Sequence, residues 1–302
     1  MSTLGFVGLG AMGASIAGRL LSQGHTVYGT NRTRSKAEPL IEAGLLWCDS
    51  PREVAHAADV VFSMVTDDGA LEALTSGPGG ILAGLGAGTV YVDMSTVGPQ
   101  FSRELGERVN SRGASMLAAP VSGSVPAAQS GTLAIIVGGD GDAFERVEPI
   151  LAGLGSTVTF VGGNDQALLL KLAINISLAV QMLAFSEGVL LAERGGIAPD
   201  VALDVLTHSA IGSPMLQARA PMLLDLPEQA WFDVAMMRKD LHLVLATARE
   251  LGVPLPSTAV ADELLAAASN LGYEHRDIAV LFRVLSEMTS PSPAAQPGRD
   301  TP

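Results

Sequence analysis

The chain has 302 residues, 48% of them apolar, and a net charge of -13. It is long enough for two domains and too apolar to be disordered, and its acidity excludes a general nucleic-acid binder, which needs a basic face. One cysteine, Cys48, excludes an internal disulfide and fits a reducing cytoplasm, and no basic segment precedes an N-terminal apolar run, so no secretory signal is expected.

In chain order, Thr3 to Leu9 reads as a buried strand and Gly10 to Leu21 as the helix after it. Thr26 to Thr30 is a second strand, and Arg34 to Ala43 a helix with Gly44 as its C-cap. Ala58 to Val65 and Val90 to Met94 are strands, and Pro99 to Ser111 is a helix. Ala114 to Val121, Thr132 to Val137 and Thr157 to Val161 complete the strands. Strands alternating with helices imply an α/β fold: a Rossmann-type, doubly wound, mostly parallel sheet covered on both faces. From Gln166 to Thr289 only helical patterns remain: a long helix, then about Pro199 to Ser209, Pro214 to Leu224, Phe232 to Leu251, Ser257 to Leu271 and Arg276 to Met288. The expected organisation is a dinucleotide-binding domain over residues 1–162 and an all-helical substrate and dimerisation domain over residues 163–289. A disordered Ser/Pro/Ala-rich tail is expected over residues 290–302. Leu172 to Ala192 is apolar enough to raise the membrane question, but it carries Asn175, Ser177, Gln181, Ser186 and Glu187. It reads as a long helix buried between domains or subunits, with no membrane partner.

The first strand runs into Gly8-Leu9-Gly10-Ala11-Met12-Gly13, which opens the first helix. Such glycines permit a tight turn and the close approach of a pyrophosphate to helix amides. Alone the pattern is weak; between a strand and a helix it points to a nucleotide. At the end of the second strand an acid would take the ribose hydroxyl of NAD. The chain has Asn31-Arg32-Thr33-Arg34-Ser35-Lys36 instead. Three cations and no carboxylate suit a 2′-phosphate, hence NADP(H), against the alternative of a solvated basic turn.

In the long helix, Lys171 and Asn175 stand four residues apart in an apolar run and so share one face. A buried amine and amide need polar partners; the alternative is a snorkelling lysine. The five histidines lack metal-ligand spacing, and no metal is expected.

With these residues in view, the chain resembles the β-hydroxyacid dehydrogenase family, of the 3-hydroxyisobutyrate dehydrogenase type, from about Leu4 to Met288. Gly8 to Gly13 is similar to its N-terminal fingerprint, and Asp93-Met-Ser95-Thr96 to its Asp-x-Ser-Thr segment near the nicotinamide. Ala119-Pro-Val-Ser122-Gly123 is similar to its substrate loop, and Met237-Arg-Lys239-Asp240-Leu to a cofactor-side motif. Lys171 and Asn175 fall on its catalytic lysine and asparagine. The resemblance implies hydride transfer between NADP(H) and a small hydroxy acid or semialdehyde, in a cytoplasmic homodimer or homotetramer. Lys171, Asn175 and Ser122 would be catalytic, and Ser122, Gly123, Lys171 and Asn175 would bind substrate. The cofactor would be held by Gly8 to Gly13, by Asn31, Arg32 and Thr33, by Met64, Val65 and Thr66, by Ser95 and Thr96, and by Lys239. Physically, hydride arriving at a carbonyl carbon builds charge on oxygen, and an ammonium can both stabilise and protonate it. For Lys239-Asp240 the alternative is a solvated charge pair.

The chain departs from the family pattern at Ala118, Ser124, Asp165 and Ala167, where the substrate loops are expected to be altered. An imine reductase of similar fold and a catalytically idle NADPH-binding scaffold are the competing readings. Lys171 favours carbonyl chemistry over the first, and Lys171, Asn175, Ser122 and Thr96 together speak against the second.

Overall fold

A computed structural model describes residues 2–289. The expected tail, residues 290–302, lies outside the described residues. Nine strands form one sheet: β1 (Thr3–Val7), β2 (Thr26–Thr30), β3 (Leu46–Trp47), β4 (Val60–Ser63), β5 (Val90–Asp93), β6 (Ser115–Ala118), β7 (Val121–Ser122), β8 (Leu133–Gly139) and β9 (Gly155–Phe160). Their order is β3-β2-β1-β4-β5-β6-β8-β7, with β9 also paired to β8. The first six strands are mutually parallel, and β8 runs antiparallel to β6 and β7. This is the doubly wound, mostly parallel arrangement, in which strand order reverses between β1 and β4.

Alternation along the strands feeds two cores, one on each face. Phe6, Phe62, Val90, Val92 and Leu117 face one of them, with the Phe6 and Phe62 rings stacked 6.0 Å apart. Val7, Val61, Tyr91, Met116 and Ala118 face the other. The covering helices are α1 (Ala11–Ser22), α2 (Glu38–Glu42), α3 (Pro51–Ala57), α4 (Asp68–Thr75), α5 (Ile81–Gly84), α6 (Pro99–Asn110), α7 (Val125–Ser130) and α8 (Gly141–Leu151).

The expected strand Ala114 to Val121 is two strands, broken at Ala119-Pro120. Proline has no N–H for a ladder, and its carbonyl instead accepts from Ile136. The expected helix Arg34 to Ala43 begins as a 3-10 turn, Arg34–Ala37, before α2. Gly44, at a φ of 108°, closes it by donating its N–H to the Ile41 carbonyl.

Helical structure fills the rest: α9 (Asn164–Arg194), α10 (Pro199–His208), α11 (Pro214–Leu224), α12 (Val234–Leu251), α13 (Pro256–Asn270) and α14 (Leu281–Thr289). The chain forms two compact units. One comprises the residues up to Ile176 with Lys239–Pro254, and the other Ser177–Arg238 with the residues from Leu255 on. In the second, α10 packs on α11 and α13 on α14. There the buried Asp277 carboxylate pairs with Arg219 at 3.4 Å and accepts the N–H groups of Trp231, Phe232 and Ala279.

Candidate active site

The strand ends define one edge of the sheet. In register, Thr30, Val7, Ser63, Asp93 and Ala118 form a single row across β2, β1, β4, β5 and β6. The residues that follow each of them therefore emerge side by side, at the edge where doubly wound sheets take their ligands.

Beyond β1, the glycines have separable roles. Gly8 has φ 93°, and a Cβ there would lie 2.3 Å from the Met64 carbonyl oxygen. A Cβ on Gly13 would lie 2.1 Å from the Gly8 carbonyl oxygen. Both are needed for the turn itself. A Cβ on Gly10 would meet nothing within 4 Å. Packing does not explain that glycine; room for a ligand does. Gly10 is also the N-cap of α1 and offers no side-chain cap, which leaves the first helix amides available to an anion. These features fit a dinucleotide pyrophosphate.

Asn31 ties the next loop in. Its Oδ1 accepts the Leu9 N–H at 3.1 Å and its Nδ2 donates to the Thr33 carbonyl. Of the cations that follow, Arg34 is engaged: it pairs with Glu38 at 3.6 Å and lies over the Trp47 ring at 5.2 Å. Arg32 is exposed and has no ion pair among the described residues. Lys36, likewise exposed, has no ion pair among the described residues either.

Beyond β4 and β5 a polar network is buried. Asp93 Oδ1 accepts from the Ser63 hydroxyl at 2.6 Å and from the Ser95 hydroxyl at 2.7 Å. Ser95 Oγ in turn accepts the Val65 N–H at 3.0 Å. Burial, only partly offset by these hydrogen bonds, raises the Asp93 pKa from 3.8 to about 6.

The expected lysine lies in α9, near its start. Lys171 is half-buried, and its Nζ donates to Asn175 Oδ1 at 3.1 Å. Asn175 is fully buried, and its Nδ2 donates to Asp240 Oδ2 at 2.5 Å. Asp240, on α12, also pairs with Lys239 at 2.5 Å, and Lys239 Nζ donates to the Thr96 carbonyl at 2.6 Å. One chain of contacts thus joins Lys171, Asn175, Asp240, Lys239 and Thr96. The Asp240 carboxylate accepts only, so it fixes the Asn175 amide with its oxygen toward the lysine. Burial lowers the Lys171 pKa, against the pull of Asp240 and with the push of Lys239. Burial likewise raises that of Asp240, against both lysines.

Asp240, named in the sequence only within its motif and the Lys239-Asp240 pair, is the participant to which the sequence reading gave no role. Its pair with Lys239 is buried on the carboxylate side and is not a solvated pair. Ser122 and Gly123 lie on and after β7, past the Ala119-Pro120 break; Gly123 has φ 139°. No described contact joins Ser122 to the lysine network. The departures at Ala118 and Ala167 are fully buried in the core beneath the sheet, so they act on packing and do not line an open cavity. Ser124 and Asp165 are partly exposed.

Comparison with known proteins places the chain in a family. Residues 3–163 match the family described as the NAD binding domain of 6-phosphogluconate dehydrogenase. Residues 166–285 match that described as the NAD-binding domain of NADP-dependent 3-hydroxyisobutyrate dehydrogenase. The chain is 34% identical to 2-hydroxy-3-oxopropionate reductase of Escherichia coli, over 95% of this chain and 98% of that one. It is 31% identical to 2-(hydroxymethyl)glutarate dehydrogenase of Eubacterium barkeri, over 96% of each. The solved 3-hydroxyisobutyrate dehydrogenase of Mycobacterium tuberculosis superposes with a TM-score of 0.84 at 28% identity, over 94% of this chain and 99% of that one. An imine reductase from Pseudomonas sp., at 22% identity and a TM-score of 0.63, shares the fold.

The buried Asp93 should leave a mark on stability. Its pKa is raised in the folded state, so the fold holds its proton to higher pH than the unfolded chain does. Its contribution is therefore full below about pH 4 and lost as pH rises to about 6 and beyond. The rise from 3.8 to about 6 corresponds to about 3 kcal/mol. Urea unfolding between pH 4 and 7 should show this loss in the wild type, and its absence in Asp93→Asn. Equal slopes in both proteins would contradict it.

Proposed function

Since the chain belongs to the β-hydroxyacid dehydrogenase family, we propose that it transfers a hydride between NADP(H) and the carbonyl of a small hydroxy acid or semialdehyde, with Lys171 as proton donor. The observation that carries this reading is the Lys171 ammonium, desolvated at the end of a side chain that is only partly exposed. It spends one of its three donors on Asn175 and keeps the others for a substrate oxygen. When bound, the nicotinamide supplies or accepts the hydride. The Lys171 ammonium hydrogen-bonds the carbonyl oxygen, stabilises its developing charge and delivers the proton. Asn175, held by Asp240, keeps the ammonium aimed. The Ser122 hydroxyl and the Gly123 backbone hydrogen-bond a substrate carboxylate. Gly8 to Gly13 receive the pyrophosphate, and Asn31, Arg32 and Thr33 the adenosine end. Met64 to Thr66, Thr96 and Lys239 line the other end, while Ser95, expected there from the sequence, is fully buried beneath them with its hydroxyl engaged by Asp93 and Val65. A turnover screen across semialdehydes and glyoxylate, with cyclic imines as the contrast, tests the substrate class.

Lys171→Met is expected to lower turnover by at least about 100-fold, since general acid help is worth roughly 10²–10⁴-fold. NADPH binding should stay within about threefold of the wild type by fluorescence titration, because in this reading the glycine turn and the Asn31 to Thr33 segment hold the dinucleotide and Lys171 meets only the reacting oxygen. In the wild type, reduction should slow as pH rises through the Lys171 pKa and oxidation should quicken, with the midpoint below the usual lysine value. A variant that keeps more than a tenth of the turnover would reduce Lys171 to a packing residue.

Arg32→Ala tests the cofactor. A charge-assisted contact is worth about 1.5–3 kcal/mol, or roughly ten- to a hundred-fold in affinity. The variant should lose most of its preference for NADPH over NADH in kcat/KM. Equal efficiency with both cofactors in the wild type would reject the 2′-phosphate role.

We also propose a cytoplasmic homodimer or homotetramer. In the first unit, Leu170 and Ile174 of α9 are 47% and 37% exposed, an apolar cost that a second copy would remove. Light scattering at micromolar concentration should return two or four times the chain mass of 31.0 kDa; a monomer would refute it.

A further inference from the structure

Asp93 is a costly residue to place inside a core. It is 1% exposed, and its Oδ2 is buried without a hydrogen-bond partner. No described ion pair offsets it, and the charge that acts on it, Asp68, is of like sign. An apolar side chain at this strand end would be cheaper for the fold. What the carboxylate does is fix three hydroxyl rotors. Its Oδ1 takes the single proton of Ser63 and the single proton of Ser95. With its proton committed, Ser63 Oγ can only accept from Tyr91, whose hydroxyl lies 2.7 Å away. With its proton likewise committed, Ser95 Oγ presents its lone pairs to the Val65 N–H. The segments after β4 and β5 are thereby bonded to each other through one buried oxygen.

Both segments reach further. Met64, next to Val65, supplies the carbonyl on which Gly8 rests, and that contact leaves no room for a Cβ. Thr96, next to Ser95, gives its carbonyl to Lys239. The phosphate turn is also tied by Asn31 to the Leu9 N–H, so a shift of the Val65–Ser95 contact falls on the Thr96 carbonyl and the lysine that it holds.

We infer that Asp93 is a positioning residue for the nicotinamide half of the cofactor: acting through Ser95, it fixes the Val65 amide and sets the spacing of the Met64–Thr66 and Ser95–Thr96 segments. The inference rests on the nicotinamide-cofactor reading above and adds a residue that touches neither cofactor nor substrate.

The test is a binding experiment on the purified chain. NADPH and adenosine 2′,5′-bisphosphate, which lacks the nicotinamide half, are titrated into the wild type, Asp93→Ala, Asp93→Asn, Ser95→Ala and the Asp93→Ala/Ser95→Ala double variant. One hydrogen bond is worth up to about tenfold in affinity. Asp93→Ala and Ser95→Ala should each weaken NADPH by about tenfold and leave the fragment within about twofold. Asp93→Asn keeps the accepting oxygen and should bind NADPH within about threefold of the wild type. The double variant should be no weaker than the weaker single, because both act on one contact. Equal loss of both ligands would make Asp93 a plain stability residue and overturn the inference, as would multiplying effects in the double variant or unchanged NADPH binding in both alanine variants. If Asp93→Ala does not fold, Ser95→Ala against Asp93→Asn decides: selective loss of NADPH in the first alone supports the inference, and any other pattern overturns it. A wild type that binds neither ligand removes the nucleotide reading itself, and this inference with it.

Discussion

The arrangement around α9 depends on a single buried carboxylate. Asp240 takes the Asn175 amide on one oxygen and the Lys239 ammonium on the other. Without it, the Lys171 and Lys239 amines would share one region with no carboxylate between them, beside an amide free to flip. Like charges held close cost several kcal/mol when neither is compensated. With it, each cation has a direction: Lys239 is drawn onto the Thr96 carbonyl, and Lys171 is left half-buried with donors to spare. The carboxylate thus separates a cation with its donors engaged from one with donors to spare.

The sheet supplies the complementary half of the site by alignment. Because Thr30, Val7, Ser63, Asp93 and Ala118 end in one row, five loops start at the same height without any loop being long. Short loops on a rigid edge carry little entropy to lose on binding, which suits a site meant to hold a long, flexible dinucleotide in one pose.

Much of this was legible in the residues. The glycine turn, the basic end of β2 and the Lys171–Asn175 spacing are local patterns, and local patterns survive in a sequence read alone. What escaped was decided by tertiary neighbours. Lys239-Asp240 looks the same in sequence whether solvated or buried, and only the packing of α12 beside Asn175 distinguishes them. Arg32 and Arg34 look alike, yet Trp47 and Glu38, on separate elements, engage one and spare the other. Ala118 and Ala167 read as changes in loops around a substrate; their burial under the sheet makes them changes in packing. The helices Pro51–Ala57, Asp68–Thr75, Ile81–Gly84, Val125–Ser130 and Gly141–Leu151 were not read at all, four of them being too short for a period of 3.6 to declare itself.

The burial of the sheet on both faces raises a problem of self-recognition. Sheets with one wet face reject a one-residue slip because it would turn apolar side chains outward. Here either face of β5 is received by an apolar core, so Val90 and Val92 could trade sides with little loss of hydrophobic energy. Tyr91 and Asp93 could not. Slipped by one residue, they would enter the face lined by Phe6, Phe62 and Leu117 and lose the Ser63 hydroxyl from which the carboxylate accepts. The Tyr91–Ser63–Asp93 triplet is therefore the key that admits one strand alignment and refuses its neighbours. The stability given up to bury it is returned as uniqueness of the folded state.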